Sequence, residues 1–287
     1  MGLFLKRIEC ALLIFNFIGD GMNIDFVKLS PSKNMTILVK SEVPRDKQAL
    51  LGAELMKYSS VHAEQVGFLE DSRKALFRLQ MADGEFCGNA SMAAAVYYAK
   101  NKGLSAGEMM LLNFEVSGSN DTMLATVSRD KDEYIGNINM PCPLDIRAEE
   151  FDLPTGKKEL TTVYIPGIKH IILPLEYLQG DFKVWLEENV DLFGSKKDVF
   201  GVIIFDEKNE AIYPFVSIKG ALCWERGCGS GTEAVGVYSA DKYKKSVTMD
   251  VKQPGGTIKV AVKYEDSIKA VSIEGKVKLV AEGTAYI

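Results

Sequence analysis

Two cysteines are the residues through which this sequence could do chemistry. Glu85-Phe86-Cys87-Gly88-Asn89-Ala90 is written a second time, later in the chain, as Arg226-Gly227-Cys228-Gly229-Ser230-Gly231-Thr232. Laying residues 87–99 over 228–240 without a gap pairs Cys87 with Cys228, Gly88 with Gly229, Ala93 with Ala234, Val96 with Val237, Tyr97 with Tyr238 and Ala99 with Ala240. After each Cys-Gly the residues are small, apolar and free of proline, so the pattern predicts a helix that the cysteine opens. Unpaired N–H groups at such an end, with the positive pole of the helix dipole, favour thiolate over thiol and can hold a carboxylate. The glycine lets backbone come close to a ligand. Two such units facing one another would set two thiols and two anion-binding helix ends around one small molecule. Inversion at a carbon next to a carboxylate needs that arrangement. One thiolate takes the proton from one face, the opposite thiol delivers a proton to the other, and the N–H groups steady the carboxylate as it gains charge. A lone cysteine of this kind is usually a buried, inert small hydrophobe. The pairing inside a duplicated frame is what points to function.

Other chemistries find little raw material. The 287 residues contain two histidines, His62 and His170, far apart in sequence, so neither a His-based metal centre nor a Ser-His-Asp triad is suggested. His170 sits in the apolar run Ile168 to Leu175, the setting of a core or strand-end histidine. Gly227-x-Gly229-x-Gly231 has its third glycine misplaced for a dinucleotide fingerprint, and no Lys-Ser/Thr follows for a P-loop. The net charge of −5 offers no basic stripe for nucleic acid or anionic lipid. Five cysteines, Cys10, Cys87, Cys142, Cys223 and Cys228, are an odd number without zinc-type spacing, in a chain too large to need disulfide staples. A reducing cytoplasm fits that usage. Hydrophobic content of 47% with 25% charged residues is that of an ordinary globular chain, long enough for two medium domains, and the duplication favours two.

Several elements must position the cysteines. The pattern predicts strands at 25–29 and 35–39 around a turn at Ser30-Pro31-Ser32-Lys33-Asn34, where Asn34 has the look of a left-handed or Asx turn residue. A helix from Arg45 to Tyr58 follows Pro44, with Leu50, Leu51, Leu55 and Tyr58 at helical spacing. Glu64-Gln65 enter a strand at 66–69, and a hairpin around Asp71-Ser72 leads into the first cysteine loop. Beyond the first helix, strands are expected near 109–116 and 122–128. Residues 134–165 alternate Pro and Gly with short apolar runs. Pro141-Cys142-Pro143 and Leu153-Pro154-Thr155-Gly156 there mark a crossing between halves. Strand-like 160–165, an amphipathic helix at 182–192, a hairpin of 199–205 with 211–218, and the second cysteine loop then repeat the earlier order. Gln253-Pro254-Gly255-Gly256 reads as a tight turn between strands at 246–251 and 257–262, and a strand pair at 270–280 and 284–287 ends the chain. At the start, Lys6 and Arg7 before an apolar run imitate a secretory signal, but the run is short for a bilayer and no small-x-small cleavage site follows.

These residues carry a resemblance. Phe86-Cys87-Gly88-Asn89-Ala90 resembles the first cysteine motif of diaminopimelate epimerase, and Gln253-Pro254-Gly255-Gly256 resembles its late Pro-Gly-Gly turn. From about Met22 to Ile287 the chain is similar to the cofactor-independent amino-acid racemases and epimerases, which also include proline racemase. Within that superfamily it looks most like the histidine racemases of staphylopine-type metallophore biosynthesis, in Asn34-Met35-Thr36-Ile37-Leu38-Val39, Glu64-Gln65-Val66-Gly67-Phe68, both cysteine segments and Gly283-Thr284-Ala285-Tyr286-Ile287. The resemblance implies an α/β (α+β) fold of two pseudo-symmetric domains, each a curved antiparallel sheet or barrel around a central helix, with the site between them. It implies a first domain of 22–140 completed by the C-terminal strand 276–287, and a second of 141–275. Cys87 and Cys228 become the acid/base pair. Backbone at Gly88-Asn89 and Gly229-Ser230 holds the substrate α-carboxylate, and Asn34, Glu64, Gln65, Glu225 and Arg226 line the pocket. No metal, pyridoxal phosphate or other cofactor is implied. The partner is a small amino acid, with no nucleic acid or membrane, and a homodimer is possible for the fold.

The implied function is interconversion of L- and D-histidine, with epimerisation of diaminopimelate or a related bis-amino acid as the alternative. Diaminopimelate epimerases place a short Gly-containing segment between a Glu-Arg pair and the second cysteine. Here Glu225-Arg226 runs straight into Gly227-Cys228, while Asn89 stands where proline racemases carry His. A binding module without chemistry is a third reading, but it gives no reason for a cysteine at both helix-opening positions. Because the motif-bearing pattern begins at Met22, residues 1–21 are expected to be a dispensable extension. Deleting residues 2–21 should leave a protein with unchanged thermal unfolding and turnover, whereas an insoluble truncation would make the extension part of the fold.

Overall fold

The computed structural model describes residues 21–195, 197–218 and 221–287; the extension at 1–20 lies outside them. The first half runs β1 (Asn23–Pro31), β2 (Thr36–Val39), α1 (Arg45–Met56), β3 (Gln65–Glu70), β4 (Arg78–Met81), α2 (Gly88–Asn101), β5 (Met109–Val116), β6 (Thr122–Asp130) and β7 (Glu133–Met140). The second runs β8 (Asp145–Leu153), β9 (Gly156–Ile165), β10 (Ile168–Pro174), α3 (Phe182–Asn189), β11 (Phe200–Asp206), β12 (Ala211–Ile218), β13 (Ala221–Trp224), α4 (Gly229–Tyr243), β14 (Val247–Gln253), β15 (Gly256–Tyr264) and β16 (Ile268–Tyr286).

The sheets are mixed rather than purely antiparallel. β2 with β3, β4 with β5, β10 with β11 and β12 with β14 pair in parallel, and α1, α2, α3 and α4 lie in the four crossovers. Parallel neighbours cannot be joined by a tight turn, so each pair carries a helix between its strands. The architecture is therefore two similar α/β halves in tandem. β16 joins them. Its first part pairs with β15 and with β7, and its second part turns to β1, so β1 to β7 and β16 form a closed circuit. A register shift at Lys28/Leu29 of β1 accompanies the bend. The expected strand pair at the C-terminus is thus one 19-residue strand, long because it serves three partners.

α2 and α4 are the hearts of the halves. Most residues of each are buried, 11 of 14 in α2 and 10 of 15 in α4, and both belong to one continuous apolar core with Val27, Phe114, Ile138, Val163, Val260 and Ile273. A helix enclosed on all sides admits only small side chains where strands press in, which explains the runs of Ala, Gly and Ser after each cysteine. Two smaller cores sit under α1 and α3. Within 134–165 the strand expected at 160–165 is the end of β9, while the rest, where a crossing was expected, is also mostly strand. β7, β8 and β9 occupy it, and Leu153-Pro154-Thr155-Gly156 is the hairpin turn between β8 and β9. The short apolar runs there are half-buried strands whose alternation the prolines and glycines obscured. Only Pro141-Cys142-Pro143 remains as connector between β7 and β8. Tyr58, read as part of a buried helix face, is 89% exposed beyond the end of α1.

One core residue has the wrong chemistry for its place. Glu233 of α4, which the repeat aligns with Met92 of α2, is completely buried, and neither carboxyl oxygen has a hydrogen-bond partner. Burial therefore holds its pKa well above the usual carboxylate range. The folded protein keeps a proton there that the unfolded chain loses above about pH 4–5, so stability falls as pH rises through that window toward the folded value. Glu233→Met, which copies the aligned residue, should raise stability by roughly 1–3 kcal/mol near pH 8 and by much less near pH 4. Thermal unfolding of both proteins across that range measures the difference, and an equal gain at every pH would refute the account.

Candidate active site

Cys87 and Cys228 cap α2 and α4 in matching extended conformations, φ −136°, ψ 112° and φ −122°, ψ 108°. The repeat persists one turn on. Ser91 Oγ donates to the Cys87 carbonyl at 2.8 Å and Thr232 Oγ1 to the Cys228 carbonyl at 2.6 Å, so both cysteine backbones are held from the same offset. The two helix ends meet. A Cβ on Gly229 would lie 3.0 Å from Ile273 Cδ1, 3.3 Å from Asn89 Oδ1 and 3.6 Å from Asn89 N, and a Cβ on Gly88 would lie 3.2 Å from the same Ile273 atom. A side chain at either position would be tight, because Ile273 of β16 lies under both ends, with Met140 of β7 beside Gly88.

Hydrogen bonds across the halves fix this meeting. The Gly227 carbonyl accepts from Asn34 Nδ2 at 3.0 Å and from Asn89 Nδ2 at 2.9 Å. Asn34 is thus no left-handed turn residue. The positive φ values fall on Ser32 and Lys33, which free Asn34, only 2% exposed, to reach over the cleft as part of the joint. The Ser32 turn also abuts the second cysteine loop: a Cβ on Gly227 would stand 2.6 Å from Ser32 O, and one on Gly255 2.0 Å from it. The Gln253-Pro254-Gly255-Gly256 turn joins β14 to β15 as expected, and it does more. Gly255 N–H donates to Arg226 O at 2.6 Å, while Gln253 accepts from the Cys228 N–H and donates to Thr232 Oγ1, each at 2.7 Å. In the first half Ser117 Oγ plays the comparable part, accepting from Met81 N–H at 2.9 Å and donating to Glu85 O at 2.6 Å. Sequence reasoning missed Gln253, Ser117, Ser91 and Thr232. The shared offset of Ser91 and Thr232 from their cysteines was the available signal.

Around the sulfurs the two halves differ. Cys87 Sγ donates to Gln65 Oε1 at 2.7 Å, and Gln65 Nε2 donates to Thr36 Oγ1 at 2.7 Å. Cys228 Sγ accepts from Gly231 N–H at 3.2 Å, lies 3.6 Å from Ser230 Oγ, and is hydrogen-bonded to the Glu225 carboxyl. Ser230 Oγ in turn is 2.9 Å from His170 Nε2. Glu64 shares the wall: its Oε2 accepts from Met35 N–H at 3.0 Å, burial pushes its carboxyl up, and Arg226 pulls it back. The helix ends were expected to favour thiolate over thiol. Burial outweighs the helix ends instead. It pushes Cys87 up to about 12, aided by Glu85 and Glu225 and opposed by the Ala90 and Asn89 N–H groups. It also pushes Cys228 well up from the ordinary thiol value, aided by Glu225 and opposed by Ser230 and Gly231. Glu225 is itself raised to about 7 by burial and by Glu64, against the pull of Cys228. The site at rest therefore holds two thiols, one facing a neutral amide and one facing a carboxyl that titrates near neutrality.

All the residues singled out in the sequence converge: Cys87, Gly88, Asn89, Asn34, Glu64 and Gln65 from the first half, with Glu225, Arg226, Cys228, Gly229 and Ser230 from the second. Among the described residues no group of three or more His, Cys, Asp or Glu side chains could hold a metal ion, and no helix is long and apolar enough to cross a membrane. The arrangement sets two thiols at the openings of two abutting helices, each sulfur met by N–H groups of its own helix end.

Comparison with known proteins gives the same picture. The fold is similar to a hydroxyproline epimerase from Agrobacterium vitis, with TM-score 0.67 and 10% identity over 92% of this chain and 93% of that one. It is also similar to a PhzF-family phenazine biosynthesis protein of Bacillus anthracis, with TM-score 0.65 and 14% identity over 93% and 100%. In sequence, the chain is 33% identical to a histidine racemase of Fusobacterium nucleatum over 92% of this chain and 97% of that protein. It is 30% identical to one of Staphylococcus aureus over 92% and 98%. A family model described as the histidine racemase CntK N-terminal domain matches residues 23–286. A chain that this model spans almost end to end, with a cysteine at each of two facing helix ends, belongs to the histidine racemase family.

Proposed function

We propose that the protein is an isomerase that interconverts L- and D-histidine by thiol acid/base chemistry, with Cys87 and Cys228 serving opposite faces of Cα. The observation that carries this reading is the pair of cysteines capping two abutting helices within one joined loop system. Its relatives in the family supply the substrate. The α-carboxylate lies between the helix ends, held by backbone N–H groups at Gly88-Asn89 and Gly229-Ser230, where negative charge is favoured. The α-ammonium enters a wall that carries Glu64 and Glu225, and a positive charge within about 4–6 Å favours thiolate over thiol. Binding therefore lowers the barrier that burial of the thiols raises.

In one direction the Cys228 thiol passes its proton to Glu225, and the thiolate removes the Cα proton. Negative charge moves toward the carboxylate, where the helix-end N–H groups already point and need no reorganisation. The Cys87 thiol then gives its proton to the other face, and the Gln65 carbonyl that received its S–H is left facing a thiolate. One proton leaves Cα, one arrives, and configuration inverts. The reverse direction begins from the Cys87 thiolate. The imidazole lies toward Asn34, Glu64 and Arg226. Glu64 stands near enough to Arg226 to feel its charge, so that guanidinium is countered from within the wall, which suits a side chain without a distal carboxylate better than diaminopimelate.

Incubating the protein in deuterated water with L- and D-histidine, other amino acids and diaminopimelate, with no cofactor added, should give Cα exchange and racemisation of histidine foremost. Recovery of activity only with pyridoxal phosphate after dialysis would sink the mechanism, and a preference for diaminopimelate would sink the substrate. Cys87→Ala and Cys228→Ala should each abolish racemisation while keeping slow exchange into opposite enantiomers. A further expectation concerns pH. Glu225 accepts a proton only when ionised, so kcat/KM should rise through about pH 7, the value that burial gives this carboxyl. In Glu225→Gln that limb should vanish, leaving the titration of the substrate imidazole, and a profile unchanged in shape would remove Glu225 from the role.

A further inference from the structure

His170 is fully buried on β10, between β9 and β11, yet it reaches the site through a single hydrogen bond. Its ring lies flat against Gly201, its register partner on β11. A Cβ there would be 2.3 Å from Nδ1 and 2.7 Å from Cε1, so only glycine admits the ring. Nδ1 consequently has no hydrogen-bond partner. Burial also keeps the ring neutral, with its pKa pushed down to about 3. A neutral imidazole carries one N–H and one bare nitrogen. With the proton on Nδ1, the ring would bury an unmet donor against backbone. With it on Nε2, only a lone pair goes unmet, which protein interiors tolerate better.

The proton therefore sits on Nε2 and is donated to Ser230 Oγ, 2.9 Å away. The hydroxyl, already accepting, must direct its own proton elsewhere, and Cys228 Sγ is the partner within reach at 3.6 Å. Gly231 N–H points at the same sulfur from 3.2 Å. Cys87 has the Ala90 N–H in the place of that of Gly231, but no counterpart of the hydroxyl. Asn89 takes the place of Ser230 in the repeat, and its amide is spent on Gly227 O.

We propose that His170 is a positioning residue that locks the Ser230 hydroxyl as a donor to the Cys228 sulfur, so that this one of the two sulfurs is selectively prepared to carry negative charge. The inference deepens the racemase reading, but its test reads the sulfur directly and does not depend on which amino acid is turned over. Glu225 faces the same sulfur and is left intact throughout.

The experiment alkylates the full chain with iodoacetamide across a pH series and quantifies the Cys87 and Cys228 peptides separately by mass spectrometry. His170→Phe keeps a ring but no donor, His170→Gln offers an amide N–H in the position of Nε2, and Ser230→Ala removes the relay. In His170→Phe and Ser230→Ala the labelling of Cys228 should slow roughly tenfold at a fixed pH, with Cys87 unchanged. The double variant should add nothing further, and His170→Gln should restore most of the rate. Equal effects on both cysteines, or a Ser230→Ala protein whose Cys228 labels as in the parent, would overturn the proposal. Because Ser230 is partly exposed and outside the core, that variant decides the question even where His170→Phe fails to fold.

Discussion

The carbonyl of Gly227 receives two amide donors from the other half of the molecule, and the site depends on that junction. Asn34 comes from the turn after β1 and Asn89 from the first turn of α2, so one oxygen is tied to two separate elements of the first half. The next residue in the chain is Cys228. Each bond contributes only about 0.5–1.5 kcal/mol net, far less than the cores that hold the halves, but it acts where positional error is most costly. Proton transfer across a small molecule needs reacting atoms within a few tenths of an ångström of contact geometry. Ser32 O against Gly227 and Gly255 closes the same junction sterically, and Ile273 of the shared strand β16 sits beneath both helix ends.

Around that fixed frame, charge rather than geometry distinguishes the two sides. Backbone at the helix ends pulls both thiols down, as a duplicated motif would, yet burial moves both the other way by more. What remains to separate them is the partner each sulfur meets: a neutral amide for Cys87, an ionisable carboxyl for Cys228. The duplication thus supplied a symmetric scaffold on which unequal neighbours were set, with Asn89 opposite Ser230 and Gln65 opposite Glu225.

Much of this was legible in the sequence, and the limits have physical causes. The repeat was visible because a central helix enclosed by strands tolerates only small residues, so both copies kept the same spelling. Asn34, Gln65 and Glu225 stood out only through family resemblance, because an isolated polar residue at a strand entry looks the same whether it faces solvent or a sulfur. The parallel pairings went unread since periodicity reports which face is buried, not the direction of the neighbouring strand. β7 to β9 were hidden by prolines and glycines that belong to turns between strands. Gln253 and His170 act over long sequence distances, through 25 and 60 residues, where no local pattern connects donor to acceptor. Glu233 was invisible for the opposite reason: a glutamate in a helix is ordinary until the structure shows that its own position is completely buried.

The unequal surroundings of the two sulfurs also bear on how the protein behaves over successive cycles. Under the racemase reading, an enzyme molecule that has just inverted one enantiomer is left with its proton deficit on the other sulfur. It is then primed for the mirror-image reaction rather than for a repeat. With Gln65 beside one sulfur and Glu225 beside the other, the two forms left by turnover differ in energy. Before a second molecule of the same enantiomer can react, a proton must be returned across the cleft. Water and the Glu225 carboxyl are the carriers at hand. The protein therefore retains a record of its last turnover, and when one enantiomer is in large excess the speed at which that record is erased sets a ceiling on flux.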